Sequence, residues 1–497
     1  MNAVMGPYIF LIGASIACLV AWGRVRLQFW ISCIGNIALL ASALNLFRSV
    51  YQNGPQSIQL GNWPAPFGIT FAVDLFSSMM LIVAAILSLV TLCFSVHSIS
   101  EQHKRMGFYF LTNVMLLGVC AAFSTGDLFN LYVCFELLLL ASFVLLSLGK
   151  TKQQLEASLK YVVINFLGSI CFLMALALIY GTMGSLNMAH LSLIVQDAPI
   201  DGVELAAAFL LMVAFSIKAS LFPLFSWLPA SYHTPPTIVT AFFAGLLTKV
   251  GAYSLIKVFT LVFPLNKLPE IAWVLWVMAI LTMVIGVLGA VSKFTMKKIL
   301  SVHIISQVGY IILGLALFTP KAIGAAVFYM IHNIFAKTNL FLISGITERY
   351  LGTDDLSRTG GLFKLAPFLA FLFLISSLAL AGIPPLSGFF AKLFIAQAAV
   401  DLEDWLSLLA IFGVSVLTLF SMIKIWNEAF WKKAEGPFRE MAWKESVSWY
   451  SPVVLLATIL LLMGVYSAEL YDLCYEAGSQ LFYPESYLRA VLGEPAP

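Results

Sequence analysis

The chain has 497 residues, of which 61% are hydrophobic and only 10% charged, with a mean hydropathy of +0.96 and a formal net charge of +3. Soluble chains carry about 25% charged residues, so this composition excludes a soluble enzyme or a nucleic-acid-binding module and describes an integral membrane protein. Seven cysteines lie singly with no Cys-x-x-Cys pair, which argues against a metal or iron–sulfur site, and nothing in the sequence calls for a cofactor.

Long apolar runs separated by short charged loops predict helices; barrel strands would alternate over roughly ten residues. The expected fold class is an all-α membrane protein with about fourteen transmembrane helices. They fall near residues 4–22, 27–47, 70–96, 107–123, 127–148, 159–181, 204–232, 235–259, 270–291, 297–318, 322–347, 364–400, 404–430 and 447–468. The first is expected to be a membrane helix and not a removed signal, because no small-residue cleavage site follows it.

Glu136 lies about nine residues, or roughly 13 Å, into the fifth helix. A lone carboxylate at that depth would be a protonated, hydrogen-bonded acid, but lysines are available at similar depth. The seventh segment contains Lys218 and then Pro223, and a proline deprives upstream carbonyls of partners where lipid offers none. The same device recurs in the twelfth segment, where Gly382, Pro384 and Pro385 are followed by Lys392. Two interrupted helices in matching positions point to an ion path in a transporter built from inverted repeats.

Lys249 in helix eight and Lys337 in helix eleven complete the set of deep cations. Lysines in the membrane are costly and read as functional by default, and unlike arginine they can release a proton when buried. His332 shares its helix with Lys337, and His303 lies in helix ten; each is as readily a satisfied core residue as a relay. His233, before Pro235-Pro236, lines a cytoplasmic access point or fixes the turn. Lys424 with Glu428 reads as a snorkelling pair, and Asp74 as a cap or interface carboxylate. Glu136, Lys218, Lys249, His332, Lys337 and Lys392 thus form a candidate polar row near the midplane, suited to protons and not to a large solute. Within it, Glu136 and Lys218 are expected to form a switchable ion pair. Structural ion pairing in a scaffold is the competing reading.

Seventeen of the 27 lysines and arginines fall in alternate loops, against five assigned to the opposite side: Arg48, Lys257, Lys267, Lys321 and Arg489. The positive-inside rule then places both termini outside, in a cell membrane.

The Phe135-Glu136-Leu137 segment, Lys218 before Pro223, His233-Thr234-Pro235-Pro236, Lys249 in Leu247-Thr248-Lys249-Val250-Gly251, and Gly382-Ile383-Pro384-Pro385 with Lys392 resemble the antiporter-like subunit family. That family contains proton-pumping membrane subunits of respiratory complex I, related hydrogenase subunits, and the large A and D subunits of Mrp-type multisubunit sodium/proton antiporters. The resemblance implies two inverted five-helix repeats, helices four to eight and nine to thirteen, each with one broken helix (seven and twelve). It divides the chain into residues 1–106, 107–260, 261–435 and 436–497.

Within the family the chain is similar to the D-type subunit, because it ends soon after helix fourteen and carries lysine at position 392; an M- or N-type complex I subunit is the alternative. The resemblance implies partners in a hetero-oligomeric complex, including a larger A-type subunit. Protons are the implied cargo. No carboxylate cluster suited to sodium is seen, so the sodium route is expected in another subunit, and the activity is that of a secondary antiporter and not an enzyme.

Overall fold

The computed structural model describes residues 3–197, 199–200, 202–433, 439, 441 and 443–493. Asp201 and the side chains of Asp197 and Lys444 lie outside the described residues.

The first half contains α1 (Gly6–Val20), α2 (Val25–Asn53), α3 (Leu75–Ser98), α4 (Phe108–Ser124), α5 (Leu128–Ser147), α6 (Lys152–Met183), α7 (Gly202–Ala219) and α8 (Thr237–Leu261). The second contains α9 (Pro269–Val291), α10 (Met296–Ala316), α11 (Pro320–Leu351), a split pair α12a (Pro367–Ala381) and α12b (Ser387–Asp401), α13 (Trp405–Ile425) and α14 (Trp443–Val465). Among the described residues, twelve helices are long and apolar enough to cross a membrane, and Phe108–Ser124 and Pro367–Ala381 are apolar but shorter.

Burial sorts the helices into an axis and a periphery. The most apolar stretches of α8 and α11 are fully buried and that of α10 is 94% buried, whereas those of α2, α6 and α9 are only 33–39% buried. The three axial helices carry buried lysine, histidine, asparagine and glutamine, so these polar side chains lie inside the protein. Polar groups in lipid cost several kcal/mol each when unpartnered, and the fold hides them accordingly.

The exception to the all-helical expectation is an antiparallel hairpin, β1 (Gln56–Gln59) paired with β2 (Thr70–Val73). Residues 70–73, expected at the start of helix three, are therefore strand. Asp74 ends that strand and caps α3 by accepting the amide of Ser77 at 2.8 Å. The C-terminal segment adds α15 (Ser467–Phe482), which packs along α11, and α16 (Glu485–Leu492), which packs on the hairpin. Ser57 and Gln59 of β1 donate to the carbonyls of Ala490 and Val491 at 2.5 and 3.1 Å. Hydropathy predicts neither helix, since both are short and amphipathic.

Candidate functional site

The two helix breaks are the same local motif. In α7, Ser220 is left-handed (φ +63°), the Ser220 amide donates to Ile217 O, and the Leu221 amide donates to Ser216 O at 3.0 Å. In α12a, Gly382 is left-handed (φ +90°), the Gly382 amide reaches Ala379 O, and the Ile383 amide reaches Leu378 O at 3.0 Å. Both are Schellman terminations with an apolar residue next in line. The chain thus turns at Ser220, three residues before Pro223, and at Gly382, two before Pro384.

The breaks differ in where their lysine comes from. Lys218 belongs to the last turn of α7, and its Nζ donates to Asn165 O and Ser169 Oγ of α6 at 3.1 and 3.2 Å. Lys392 instead comes from α12b and reaches back across the break, donating to Ala381 O at 2.7 Å and Leu380 O at 3.1 Å, with the Tyr310 ring 5.3 Å away. Those carbonyls are orphans of the α12a terminus, and a cation at a helix C-terminus suits both the hydrogen bonds and the dipole. Gly382 is required twice over: a Cβ there would sit in a left-handed residue and 2.9 Å from Lys392 Cδ.

Glu136 and Lys218 face each other without forming a contact pair. Glu136 is close enough to act electrostatically on Lys218, yet no ion pair within 4 Å joins them, and Glu136 Oε1 is buried without a protein hydrogen-bond partner. The expected pair is therefore open, because Asn165 and Ser169 hold the ammonium. A cavity of about 20 Å³ lies beside Lys218, lined by Phe135, Leu139, Tyr161, Asn165 and Trp227 among others. That is room for one water.

The row continues through the axis. Lys249 is wholly buried and donates to Ala244 O at 2.7 Å. Lys337, also wholly buried, contacts Leu300 O at 3.4 Å and feels the charge of Lys249. His303 lies within electrostatic reach of both Lys337 and Lys392 and hydrogen-bonds through Nε2 to Ser421 Oγ. His332 bonds through Nδ1 to Ser387 Oγ at 2.9 Å, at the start of α12b, and senses Lys392. The structure thus places Glu136 near Lys218, and Lys249, Lys337, His303, His332 and Lys392 within electrostatic or hydrogen-bond reach of one another in sequence, with α7 and α8 packed together between the two groups.

Buried polar atoms without protein partners concentrate along the same path. They include Ser216 Oγ, Ser220 Oγ, Thr248 Oγ1, His303 Nδ1, His332 Nε2 and both amide atoms of Asn333. Such atoms are rare in folded proteins, and each unmet group costs about 1–3 kcal/mol. A row of them beside titratable side chains is what a chain of transient proton carriers requires. Charge does not mark Asn333 in the sequence; only its place one position after His332 could have flagged it.

His233 stands apart. It is partly buried at the turn before α8, bonded through Nδ1 to Pro229 O at 3.0 Å. Burial, with Lys298 and Lys297 nearby, holds its imidazole below the usual histidine range.

Two other expectations are corrected. Lys257 is not on a surface loop: it lies inside α8 and forms a buried ion pair with Asp74, under the ring of Tyr487 at 4.3 Å. Lys424 does not pair with Glu428 within 4 Å. It caps the end of α9 by donating to Val291 O and Lys293 O, over the Phe294 ring at 3.5 Å, while Glu428, in the π-helical turn Trp426–Trp431, lies 4.0 Å from Lys432.

The model for the transmembrane region of the NADH:quinone oxidoreductase/Mrp antiporter family matches residues 124–418, which contain both breaks and the whole polar row. The chain belongs to this family. Among its relatives, the D subunit of the Na(+)/H(+) antiporter of Alkalihalophilus pseudofirmus is 44% identical over 94% of both chains, and its counterpart in Bacillus subtilis is 36% identical over 99% of this chain and 100% of its own. The fold superimposes on a chain of the Mrp complex from Dietzia sp. DQ12-45-1b with a TM-score of 0.91 at 31% identity, covering 99% of each. Asp74 lies outside the matched family region.

Proposed function

We propose that this chain is the proton-translocating subunit of a multisubunit sodium/proton antiporter, a secondary transporter component and not an enzyme. The observation that carries the reading is the series of ionisable groups from the partly buried Glu136 through the buried Lys218, Lys249, Lys337 and His303 to Lys392, flanked by unpartnered polar atoms. The names of the relatives supply the coupled ion and favour the antiporter over a complex I subunit. The repeated Schellman break supports two inverted five-helix repeats, residues 107–260 and 261–435, within a fourteen-crossing chain. Both termini then face outward, and a larger A-type subunit and the sodium route lie elsewhere in the complex.

Lys218 acts as a two-position group in this mechanism. Held by Asn165 and Ser169, it is positioned to release its proton inward along the row; swung away from them toward Glu136, it is held charged. Opposite charges about 4 Å apart attract by roughly 4 kcal/mol at an effective dielectric near 20, enough to bias such a switch. Lys392, fixed on the α12a carbonyls, is the exchange group at the far end.

Glu136→Gln keeps size and removes the charge. In everted vesicles carrying the whole complex it should abolish sodium-driven ΔpH changes while assembly stays normal. Normal antiport in that variant would remove the carboxylate from the mechanism.

A further inference from the structure

One buried, charged constellation is left unused by this mechanism. Asp74, at the first turn of α3, and Lys257, near the end of α8, are joined as an ion pair with side chains only 3% and 2% exposed. Asp74 Oδ1 accepts the Ser77 hydroxyl at 2.7 Å, and Ser77 Oγ lies 2.7 Å from Tyr253 Oη. Tyr253 is in α8, four residues after Lys249 and four before Lys257, so the three side chains occupy successive turns of one face of an axial helix.

The hydrogens of this chain have a direction. Ser77 has one hydrogen and gives it to Asp74, so at the Tyr253–Ser77 contact the tyrosine must be the donor. Tyr253 also has one hydrogen and a second acceptor, Phe123 O at 2.6 Å. Turned to Phe123 the phenol interrupts the chain; turned to Ser77 it completes a path from Tyr253 to the carboxylate. The rings of Phe76 and Phe123, with centroids 4.7 and 4.9 Å from that of Tyr253, fix the phenol while its hydroxyl hydrogen rotates.

We propose that Tyr253, Ser77, Asp74 and Lys257 form a proton branch that leaves the midplane row at Lys249 and runs to the face bearing the β1–β2 hairpin. The proposal rests on the proton-translocation reading above and deepens it. Once the Lys249 ammonium swings from Ala244 O, which it holds at 2.7 Å, toward Tyr253, its proton is taken up on Tyr253 Oη, the phenol's own hydrogen passes to Ser77 Oγ, and the serine's hydrogen passes to Asp74. The Lys257 ammonium then gives one proton to the surface, and the protonated carboxyl restores it. One proton enters, one leaves, and the ion pair is regenerated. The Tyr487 ring lies over Lys257, so the C-terminal helix α16 is the cover that must shift for release.

A purely structural ion pair makes a different prediction, which allows a clean test. Removing one partner of a buried pair strands a charge, whereas replacing both with apolar groups of similar size is often neutral or stabilising. The double variant Asp74→Leu/Lys257→Met should therefore assemble into the complex at the wild-type level. The branch requires its sodium-driven proton flux in everted vesicles to fall at least tenfold, and wild-type flux would overturn the proposal. Tyr253→Phe removes only the hydroxyl and guards against failure of the double variant to assemble. It should lower the maximal rate at least tenfold with the apparent affinity for sodium unchanged, and an unchanged maximal rate again overturns the proposal. Glu136→Gln is measured alongside: its loss of flux with the Tyr253 and Asp74/Lys257 variants fully active would sink the branch alone, whereas full activity of Glu136→Gln would sink the wider reading.

Discussion

Gly251 is where the packing of α8 controls Lys218. A Cβ built on Gly251 would lie 2.5 Å from the amide nitrogen of Ala219 and 2.7 Å from the carbonyl carbon of Lys218. Both are backbone atoms and cannot rotate away, so Gly251→Ala must push α7 and α8 apart by about 1 Å to regain a contact near 3.5 Å. Overpacking of this kind costs about 1–3 kcal/mol, partly offset by the gain of about 1 kcal/mol from replacing glycine with alanine in a helix. The net stability change is therefore small, and assembly should survive. The ammonium of Lys218 fares worse, because the displaced backbone is its own and its bonds to Asn165 and Ser169 of α6, at 3.1 and 3.2 Å, leave little room for a shift of about an ångström. A misplacement of that size can lower a rate on the order of a hundredfold. The comparison is Gly413→Ala in α13, where the added methyl meets nothing within 4 Å. Measured by dye-reported ΔpH in everted vesicles at matched assembly, Gly413→Ala should transport normally and Gly251→Ala should lose at least nine-tenths of the rate. Antiport within twofold of wild type in Gly251→Ala would refute the claim that the α7 break positions Lys218.

Ser220 adopts at its break the left-handed geometry that costs a non-glycine residue about 1–2 kcal/mol, so Ser220→Gly should raise the thermal midpoint of the complex. Gly382→Ala should do the reverse, losing both stability and antiport, read by the same melting and flux assays. His233 is held below its ordinary value of about 6.5 and is therefore neutral at and above neutral pH; acidification through that value drives protons onto the unfolded state and destabilises the fold. His233→Gln should leave flux at pH 8 unchanged and make thermal stability less sensitive between pH 7 and 5.5, whereas a large loss of flux at pH 8 would assign His233 to the proton path. Asn113 bonds Ser32 Oγ at 2.9 Å and Asn36 at 3.1 Å between α4 and α2, so Asn113→Ala should cost about 1–3 kcal/mol of stability in a denaturant melt and leave the sodium dependence of transport unmoved.

What the sequence made legible was whatever the bilayer makes expensive. A lysine or glutamate inside a twenty-residue apolar run is visible without any neighbour, which is why Glu136, Lys218, Lys249, Lys337 and Lys392 could be named from the sequence alone. Proline and glycine marked the two breaks, but the turns themselves begin earlier, at Ser220 and Gly382, because helix termination is set by the left-handed residue and its hydrogen bonds. Long-range pairing was illegible. Asp74 and Lys257 are 183 positions apart, and each taken alone reads as an end-of-helix charge; only the folded chain shows that they share one site. The open state of the Glu136–Lys218 pair was hidden for a similar reason, since Asn165 and Ser169, the groups that hold the amine, are ordinary polar residues of α6.

The depth of the polar row has an electrical consequence. Glu136 is the ninth residue of twenty in α5, Lys249 the thirteenth of twenty-five in α8, and Lys337 the eighteenth of thirty-two in α11, while Lys392 reaches the junction of two fifteen-residue halves. Each lies near the middle of its helix, so on the proposed path a proton passing from Glu136 to Lys392 would travel sideways along a surface of nearly constant potential. The membrane voltage, worth about 2.3 kcal/mol per charge per 100 mV across the full thickness, does almost no work on that passage. On the proposed path it would act on the legs that join the row to either surface, so any voltage dependence would belong to the short vertical connections and not to the long horizontal one.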